Sequence, residues 1–260
     1  MRTDFWFDSC GAGKIHCCKW TPEGEPKAVV QIVHGICEYV ERYDRFAHWL
    51  AEWGFLVVGN DHLGHGESWQ EPERQGLFAE KGGWNKVVQD VEHLQSRMAA
   101  EYPGLPYFLL GHSMGSFVAR TFLIQYPGRV TGALISGTAQ QSDGLLKAGY
   151  ALCSLLVRLK GTDCRSNFMK SMLFGPYNKA FRPNRTDCDW VCSDTELLER
   201  LSSAKNYGEL KAALDSISFV KKPAHKGEYG EALDDYVSAR DMLKADIKDL
   251  SARFFSYSEE

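Results

Sequence analysis

The feature that most constrains the fold of this chain is the pentapeptide Gly111–Gly115, which has the pattern Gly-x-Ser-x-Gly. An apolar run short enough for one buried strand, 107–110, precedes it, and an apolar helical pattern, 117–124, follows it and ends before Pro127. A serine on so sharp a strand-to-helix turn must take a strained backbone conformation, and side chains two residues before and after it would collide. The pattern predicts an exposed Ser113 hydroxyl above a sheet, with free helical N–H groups beneath it. The alternative is an ordinary turn, because Gly-x-Ser-x-Gly also occurs in turns that have no catalytic role.

Composition and charge narrow the classes of protein that the chain can belong to. Its 260 residues fit one large α/β domain or one domain with an insertion, and 44% hydrophobic and 25% charged residues are typical of globular proteins. The net charge of −4 gives no electrostatic basis for binding nucleic acid. The sequence leaves the oligomeric state open.

The first residues and the cysteines indicate the cellular compartment of the protein and whether it binds a metal ion. Residues 1–8 carry two acids and no apolar core segment, so we expect no signal peptide and a cytoplasmic protein with reduced thiols. Cys188 and Cys192 have a conceivable metal-ligand spacing, but no second Cys/His pair follows them. The sequence therefore predicts no metal ion and no cofactor.

Apolar runs alternate with helical patterns through the first half of the chain, which predicts a doubly wound, mostly parallel sheet. The predicted strands are Ile15–Trp20, Ala28–Val33, Leu56–Gly59, Tyr107–Leu110 and Val130–Ser136. The predicted helices are Tyr43–Glu52, Asn85–Tyr102 and Ser116–Tyr126. We expect three regions: an α/β core at 1–139, a helical cap or lid insertion at 140–200, and an atypical helical C-terminal segment packed on the core at 201–260.

The C-terminal segment differs from the rest in composition and pattern. It is rich in charge, and apolar residues recur at helical spacings through 229–254. We interpret this pattern as helices that cover the sheet. A coiled-coil partner surface is the alternative, although few heptads are present.

Two backbone N–H groups are candidates for holding an oxyanion. One belongs to Met114, the residue after the candidate nucleophile. The other belongs to Ile36, because Gly35 lets the chain fold back at the His-Gly turn after the strand Ala28–Val33. We interpret His34 as a brace for this loop rather than as a residue that moves protons.

A glycine-rich loop, 61–68, follows the strand Leu56–Gly59. Two readings are open for it. His62 and His65 could bind zinc beside nearby carboxylates, but three residues of separation in such a loop is a poor fit. We favour a rigid turn at the border of the active site.

These three motifs, in this order, resemble the α/β-hydrolase family, and closely its branch of monoacylglycerol lipases, lysophospholipases and serine-aminopeptidase-like hydrolases. Residues 34–43 are similar to the family's oxyanion segment, 61–68 to its Asp-x-x-Gly-x-Gly-x-Ser loop, and 111–115 to its elbow, including the flanking His and Met. The resemblance covers roughly residues 5 to 200. It implies a cytosolic serine esterase or lipase with a helical cap, in which Ser113 is the nucleophile and Ile36 and Met114 are the oxyanion donors.

The chain departs from the family pattern after Ser136, where no sequence pattern indicates the family's last strands or the catalytic acid and histidine that follow them. The only histidine after Ser113 is His225, in a polar stretch without a preceding strand. We name His225 as the candidate base, with an exposed loop histidine as the alternative. Without a base, only about 10³–10⁴-fold acceleration over water would remain.

The segment 145–157 is strongly apolar but too short to span a bilayer. It predicts either a lid helix that receives an acyl chain and transiently contacts membrane surfaces, or a cap helix packed on its own domain. An apolar cap favours fatty esters or lipids as small-molecule substrates, with the substrate-binding residues unknown. Two functions follow: a serine hydrolase of carboxylic esters, or a non-catalytic or catalytically impaired protein of the same fold.

Overall fold

The computed structural model describes residues 1–68, 75–161, 166–181 and 183. Six strands form one sheet: β1 Arg2–Asp8, β2 Lys14–Trp20, β3 Ala28–Val33, β4 Phe55–Asn60, β5 Tyr107–His112 and β6 Gly132–Ser136. Five α-helices accompany them: α1 Asp44–Glu52, α2 Gly83–Glu101, α3 Met114–Gln125, α4 Asp143–Lys160 and α5 Asn167–Asn178.

The strand order is β1-β2-β4-β3-β5-β6, so the chain starts at one edge and crosses to the other. Strands β4, β3, β5 and β6 run parallel to one another, whereas β1 and β2 form an antiparallel pair and β2 is antiparallel to β4. The prediction of a mostly parallel α/β sheet is confirmed. The order changes direction around β3, and the ends of β3 and β5 therefore carry the loops where such folds bind ligands.

Helices cover both faces of the sheet, as a doubly wound fold requires. On one face α1 packs against β2 and β4, with Trp20, Ala47 and Val57 in the shared core. On the other face α2 and α3 pack on the central strands. The buried residues of α2 follow helical spacing, because one apolar stripe faces the sheet: Val87, Val88, Val91, Leu94 and Met98.

The strand β1 was not predicted from the sequence. The strand places Phe7 in the core with β2, opposite Ile15. Trp6 points to the other face and lies against the ring of His16, with centroids 4.9 Å apart. Of its seven residues only Phe5, Trp6 and Phe7 are apolar, and they are consecutive, so the sequence shows no apolar–polar alternation.

The predicted elements agree closely with those observed. The range Ala28–Val33 coincides with β3, and α3 ends at Gln125, two residues before Pro127. Strand β6 starts later than predicted, because a turn with Gly128 at φ 77° occupies the residues before it.

Two of the predicted regions lie partly or wholly outside the described residues. Helices α4 and α5 fall within the predicted cap, 140–200. Because the structure describes only part of this range, the cap assignment stays a prediction. The predicted helical segment at 201–260 lies outside the described residues, and the described part contains no strand after β6.

The helix α4 has no buried residue. Six of its large apolar side chains are exposed: Leu145, Leu146, Tyr150, Leu155, Val157 and Leu159. No helix in the described ranges is both long and apolar enough to cross a membrane.

Core packing on α3 can be tested with two substitutions on that helix. Phe122 is fully buried against β5 and α2, whereas the Ile124 side chain is 80% exposed. We expect Phe122→Ala to lower the free energy of unfolding by about 3–5 kcal/mol, because it leaves a cavity. Ile124→Ala is the matched control and should change it by less than about 0.5 kcal/mol. Equal effects in chemical denaturation would contradict this packing.

Candidate active site

Ser113 stands at the junction of β5 and α3 in a conformation that side chains rarely adopt, with φ 52° and ψ −119°. Its neighbours hold this strained turn in place. The Ser113 N–H donates to the carbonyl oxygen of Ser136 on β6 at 2.9 Å, and the Ser113 carbonyl accepts from the hydroxyl of Ser116 at 2.6 Å. Strain of this kind persists where the surrounding structure fixes it, and it is concentrated at functional sites.

The two glycines of the pentapeptide are required by close backbone packing. A Cβ atom on Gly111 would lie 2.6 Å from the carbonyl oxygen of Gly115 and 2.9 Å from the Cβ of Ala119. A Cβ atom on Gly115 would overlap the carbonyl oxygen of Val33 at the end of β3. The collision expected from the sequence is therefore present on both sides of Ser113.

The loop after β3 lies directly against Ser113. A Cβ atom on Gly35 would be 3.0 Å from a carboxylate oxygen of Glu38 and 3.1 Å from the Cβ of Ser113, so any larger residue would have to displace one of these neighbours. Cys37 takes a positive φ of 58°, which turns the chain sharply after Ile36. Across the described ranges, no acceptor is bonded to the N–H of Ile36 or of Met114. Both predicted donors are therefore available near the candidate nucleophile.

The carboxylate of Glu38 fixes the shape of this loop, a role that the sequence pattern did not reveal. One of its oxygens accepts from the Gly35 N–H and from the Tyr43 hydroxyl, both at 2.8 Å. The other oxygen lies 3.0 Å from the Arg42 guanidinium and 3.8 Å from Nε2 of His112. Burial, together with this carboxylate, raises the pKa of Tyr43, so its hydroxyl remains a donor.

His34 braces the same loop through both ring nitrogens. Its Nε2 accepts from the N–H of His62 at 3.0 Å, so the ring proton lies on Nδ1, which donates to the carbonyl of Gly35 at 2.7 Å. Burial, followed by the nearby His65, lowers the pKa of His34 to about 3. A neutral imidazole with both nitrogens committed to the backbone agrees with the bracing role expected from the sequence.

Three buried histidine rings form one cluster beneath the loop. The centroid of His34 is 4.1 Å from that of His62 and 5.5 Å from that of His65. His62 Nε2 lies 3.1 Å from the His34 carbonyl oxygen, and His65 Nδ1 lies 3.0 Å from the Leu63 carbonyl oxygen. Burial is the main cause that lowers the pKa of His62 and His65. Backbone carbonyl oxygens therefore accept hydrogen bonds from His62 and His65, the two histidines considered as zinc ligands. This bonding agrees with the rigid turn favoured from the sequence.

Asp61, which is fully buried, connects three segments around the site. One carboxylate oxygen accepts from the N–H of Val40 at 2.7 Å. The other accepts from the N–H of Glu67 at 2.9 Å and lies 2.8 Å from Nδ1 of His16. Gly66 has φ 50°, and a Cβ atom there would overlap this carboxylate. The family-like loop 61–68 is therefore a support for the neighbouring loops.

The structure brings together part of the predicted site. Ser113, Met114 and the loop that carries Ile36 are adjacent. His225, the candidate base, lies outside the described residues. Within residues 1–68, 75–161, 166–181 and 183, no side chain donates to or accepts from the Ser113 hydroxyl.

The neutral histidine cluster predicts a pH dependence of stability. A histidine whose pKa is lowered on folding stabilises the fold above pH 6.5, and this contribution is lost as the pH falls, because the unfolded chain binds more protons. His34, whose pKa is about 3, should contribute roughly 1 kcal/mol to the loss between pH 6.5 and 5.5, and His62 and His65 should add to the loss in the same direction. The pKa of His16 is raised despite its burial, by a hydrogen bond to Asp61, so His16 opposes part of this loss.

Chemical denaturation near pH 7.5 and near pH 5.5 measures this effect. His65→Gln should reduce the pH-dependent loss, because it removes one buried imidazole whose pKa is lowered on folding. The control is His48→Gln, on the outer side of α1, where the histidine side chain is 48% exposed. A wild-type protein equally stable at both pH values would refute the prediction.

Comparisons with known proteins agree with this geometry. A family model described as serine aminopeptidase, S33, matches residues 24–218. Human monoglyceride lipase is 39% identical over 122 residues, which are 46% of this chain and 38% of the human protein. A monoacylglycerol lipase from Mycolicibacterium smegmatis is 31% identical over 159 residues, 61% of this chain and 55% of the relative. A monoglyceride lipase homolog of monkeypox virus is 34% identical over 142 residues, 55% of this chain and 49% of the relative.

These three relatives are longer than the part that matches, so the chain spans 38–55% of their length. Two solved structures resemble the fold more fully. A carboxyl esterase from Bacillus coagulans has a TM-score of 0.67 and 25% identity, covering 82% of this chain and 70% of the esterase. A lipase in its open form has a TM-score of 0.66 and 25% identity, covering 83% and 72%. Because the family model matches well over half of its residues, the chain belongs to the serine aminopeptidase S33 family and has the α/β-hydrolase fold.

Proposed function

We propose that the chain is a serine hydrolase of carboxylic esters, with a monoacylglycerol or lysophospholipid as substrate. The observation that carries the proposal is the strained Ser113 at the start of α3, packed against the loop of Gly35 and Ile36. A strained serine at a strand-to-helix turn, next to available N–H groups, is the arrangement that acyl transfer requires.

The proposed reaction proceeds through an acyl-enzyme. The Ser113 oxygen attacks the ester carbonyl carbon, and its proton passes to a base. The carbonyl oxygen becomes an oxyanion that accepts from the N–H groups of Ile36 and Met114. The C–O bond to the alcohol then breaks, and the base returns the proton to the leaving oxygen. Water, deprotonated in the same way, hydrolyses the acyl-enzyme and frees Ser113.

Two observations support a fatty substrate. The curated relatives include proteins named as monoglyceride and monoacylglycerol lipases. The helix α4, in the predicted cap, exposes large apolar side chains, among them Leu145, Leu146 and Leu155. We propose that this apolar surface receives the acyl chain and contacts lipid surfaces, because long acyl groups gain free energy from burial against it.

A second function has one observation in its favour. The described part of the chain offers Ser113 no base within hydrogen-bond distance, and His225 is the remaining candidate. If no residue acts as base, the chain is a non-catalytic or impaired member of the fold, and it would retain only about 10³–10⁴-fold acceleration over water.

One experiment separates the two functions. The full chain is treated with a fluorophosphonate probe and assayed with p-nitrophenyl esters of short and long acyl chains. We expect labelling and turnover that Ser113→Ala abolishes, with faster hydrolysis of the longer ester. No labelling and no Ser113-dependent turnover would support the non-catalytic alternative. Wild-type rates in His225→Ala would exclude His225 as the base.

The positioning role of Glu38 makes a separate prediction. Glu38→Ala removes the acceptor of the Gly35 N–H, so the peptide that presents the Ile36 N–H is no longer held. We expect kcat to fall by up to about 10²–10³, as for the loss of one oxyanion donor, with KM little changed. Glu38→Gln keeps one acceptor oxygen and should fall less. The control is Glu52→Gln, at the exposed end of α1. A rise in KM with kcat unchanged would contradict the role.

A further inference from the structure

The antiparallel pair β1–β2 places three metal-ligating side chains on one face, far along the sheet from Ser113. Asp4 is opposite Cys18 in the register, and His16 lies two residues before Cys18 on the same side of β2. Their ligand atoms all lie within 4.8 Å of one another. His16 Nε2 is 3.9 Å from Oδ2 of Asp4 and 3.9 Å from Sγ of Cys18.

These separations are close to those that a tetrahedral zinc site needs. Zinc bonds of about 2.0–2.3 Å to nitrogen, oxygen and sulfur place two ligand atoms about 3.4–3.6 Å apart. Small side-chain rotations would therefore close the three atoms around one ion. The ligand set of one thiolate, one imidazole and one carboxylate suits Zn²⁺ better than Mg²⁺ or Ca²⁺, which prefer oxygen ligands.

The orientation of His16 supports the same reading. Its Nδ1 lies 2.8 Å from the buried Asp61 carboxylate, so the Nδ1 proton points to Asp61 and the Nε2 lone pair faces Asp4 and Cys18. In metal sites, the histidine ring nitrogen that does not bind the metal usually donates its proton to a carboxylate. This hydrogen bond fixes the tautomer and increases the basicity of the ligating nitrogen. Asp61 is held by the backbone N–H groups of Val40 and Glu67.

Local charge also favours a cation. In this part of the described structure, the Arg2 guanidinium pairs with Asp4 and Glu41 and lies 3.6 Å from Asp44. Three carboxylates therefore lie around one guanidinium, and a fourth, that of Asp61, lies against the His16 ring. This excess of negative charge persists after Arg2 is paired, and a divalent cation would reduce it.

We propose that Asp4, His16 and Cys18 bind a zinc-class divalent cation that joins β1 to β2, with water as the fourth ligand. Binding releases the thiol proton of Cys18 to solvent, because zinc takes the thiolate. The Asp4 side chain is 44% exposed, which gives the ion and its water a path from solvent. The Arg2 guanidinium donates to both oxygens of Asp4, at 2.9 Å to Oδ1 and 3.0 Å to Oδ2. The ion would replace the bond to Oδ2, and the bond to Oδ1 would still orient the carboxylate.

Binding of Co²⁺ to the full chain tests the site, because thiolate-bound tetrahedral cobalt has charge-transfer and d–d absorption bands. We expect these bands in the wild type and their loss when Zn²⁺ is added. Cys18→Ala should abolish the charge-transfer band and weaken binding by more than the 10–100-fold typical of losing an outer-shell partner. Asp4→Asn, at the exposed end of the site, should weaken binding without altering the core.

The control is Cys17→Ala, because Cys17 is equally buried on the same strand but faces the opposite side of the sheet. It should keep both absorption bands. Zinc at 100 times its Kd should also increase the folding equilibrium constant of wild type and Cys17→Ala by about 100-fold, but not that of Cys18→Ala.

Two outcomes would overturn the proposal. Cobalt bands that survive in Cys18→Ala would assign the metal to other cysteines. No binding in a folded wild-type protein would leave Asp4, His16 and Asp61 as an ion-pair network only. Neither result bears on the ester hydrolase proposal, because labelling of Ser113 is measured independently.

Discussion

The buried carboxylate of Asp61 is the interaction on which the geometry around the candidate site depends. It accepts hydrogen bonds from the backbone of Val40 and Glu67, and it binds the ring of His16 on β2. The loops after β3 and β4 are thereby fixed to β2, the strand next to the β1 edge of the described sheet. Removing one partner of such a buried charge typically costs about 3–5 kcal/mol, so each of these segments depends on the others.

The second constraint is the direct contact of backbone with backbone around Ser113. Gly115 lies against the last carbonyl of β3, and the N–H of Ser113 is bonded to the last residue of β6. The ends of three parallel strands, β3, β5 and β6, therefore meet at the turn 113–115. Because the contacts are made by main-chain atoms, their geometry does not depend on side-chain rotamers, and the strain at Ser113 is distributed over the rigid end of the sheet.

Features with a local signal could be predicted from the sequence, and those made by distant contacts could not. The elbow at 111–115 was predictable because the two glycines and the flanking apolar runs are adjacent in sequence. The brace formed by Glu38 required the position of Tyr43 and Gly35 in space, and the network of Asp61 joins residues 45 positions apart. The strand β1 was missed because its three apolar residues, Phe5, Trp6 and Phe7, are consecutive and show no alternation. Periodicity carries no information about which loop contacts which carboxylate.

The two edges of the described sheet differ in chemistry. Strand β1 carries Arg2, Asp4 and Asp8, and charged side chains at an edge discourage pairing with another strand. Strand β6 has the sequence Gly-Ala-Leu-Ile-Ser, with no charge, and in the described part it pairs with β5 alone. Leu134 on this strand is 53% exposed. Charged side chains therefore disfavour the addition of a further strand beside β1, whereas β6 carries no charge that would disfavour one.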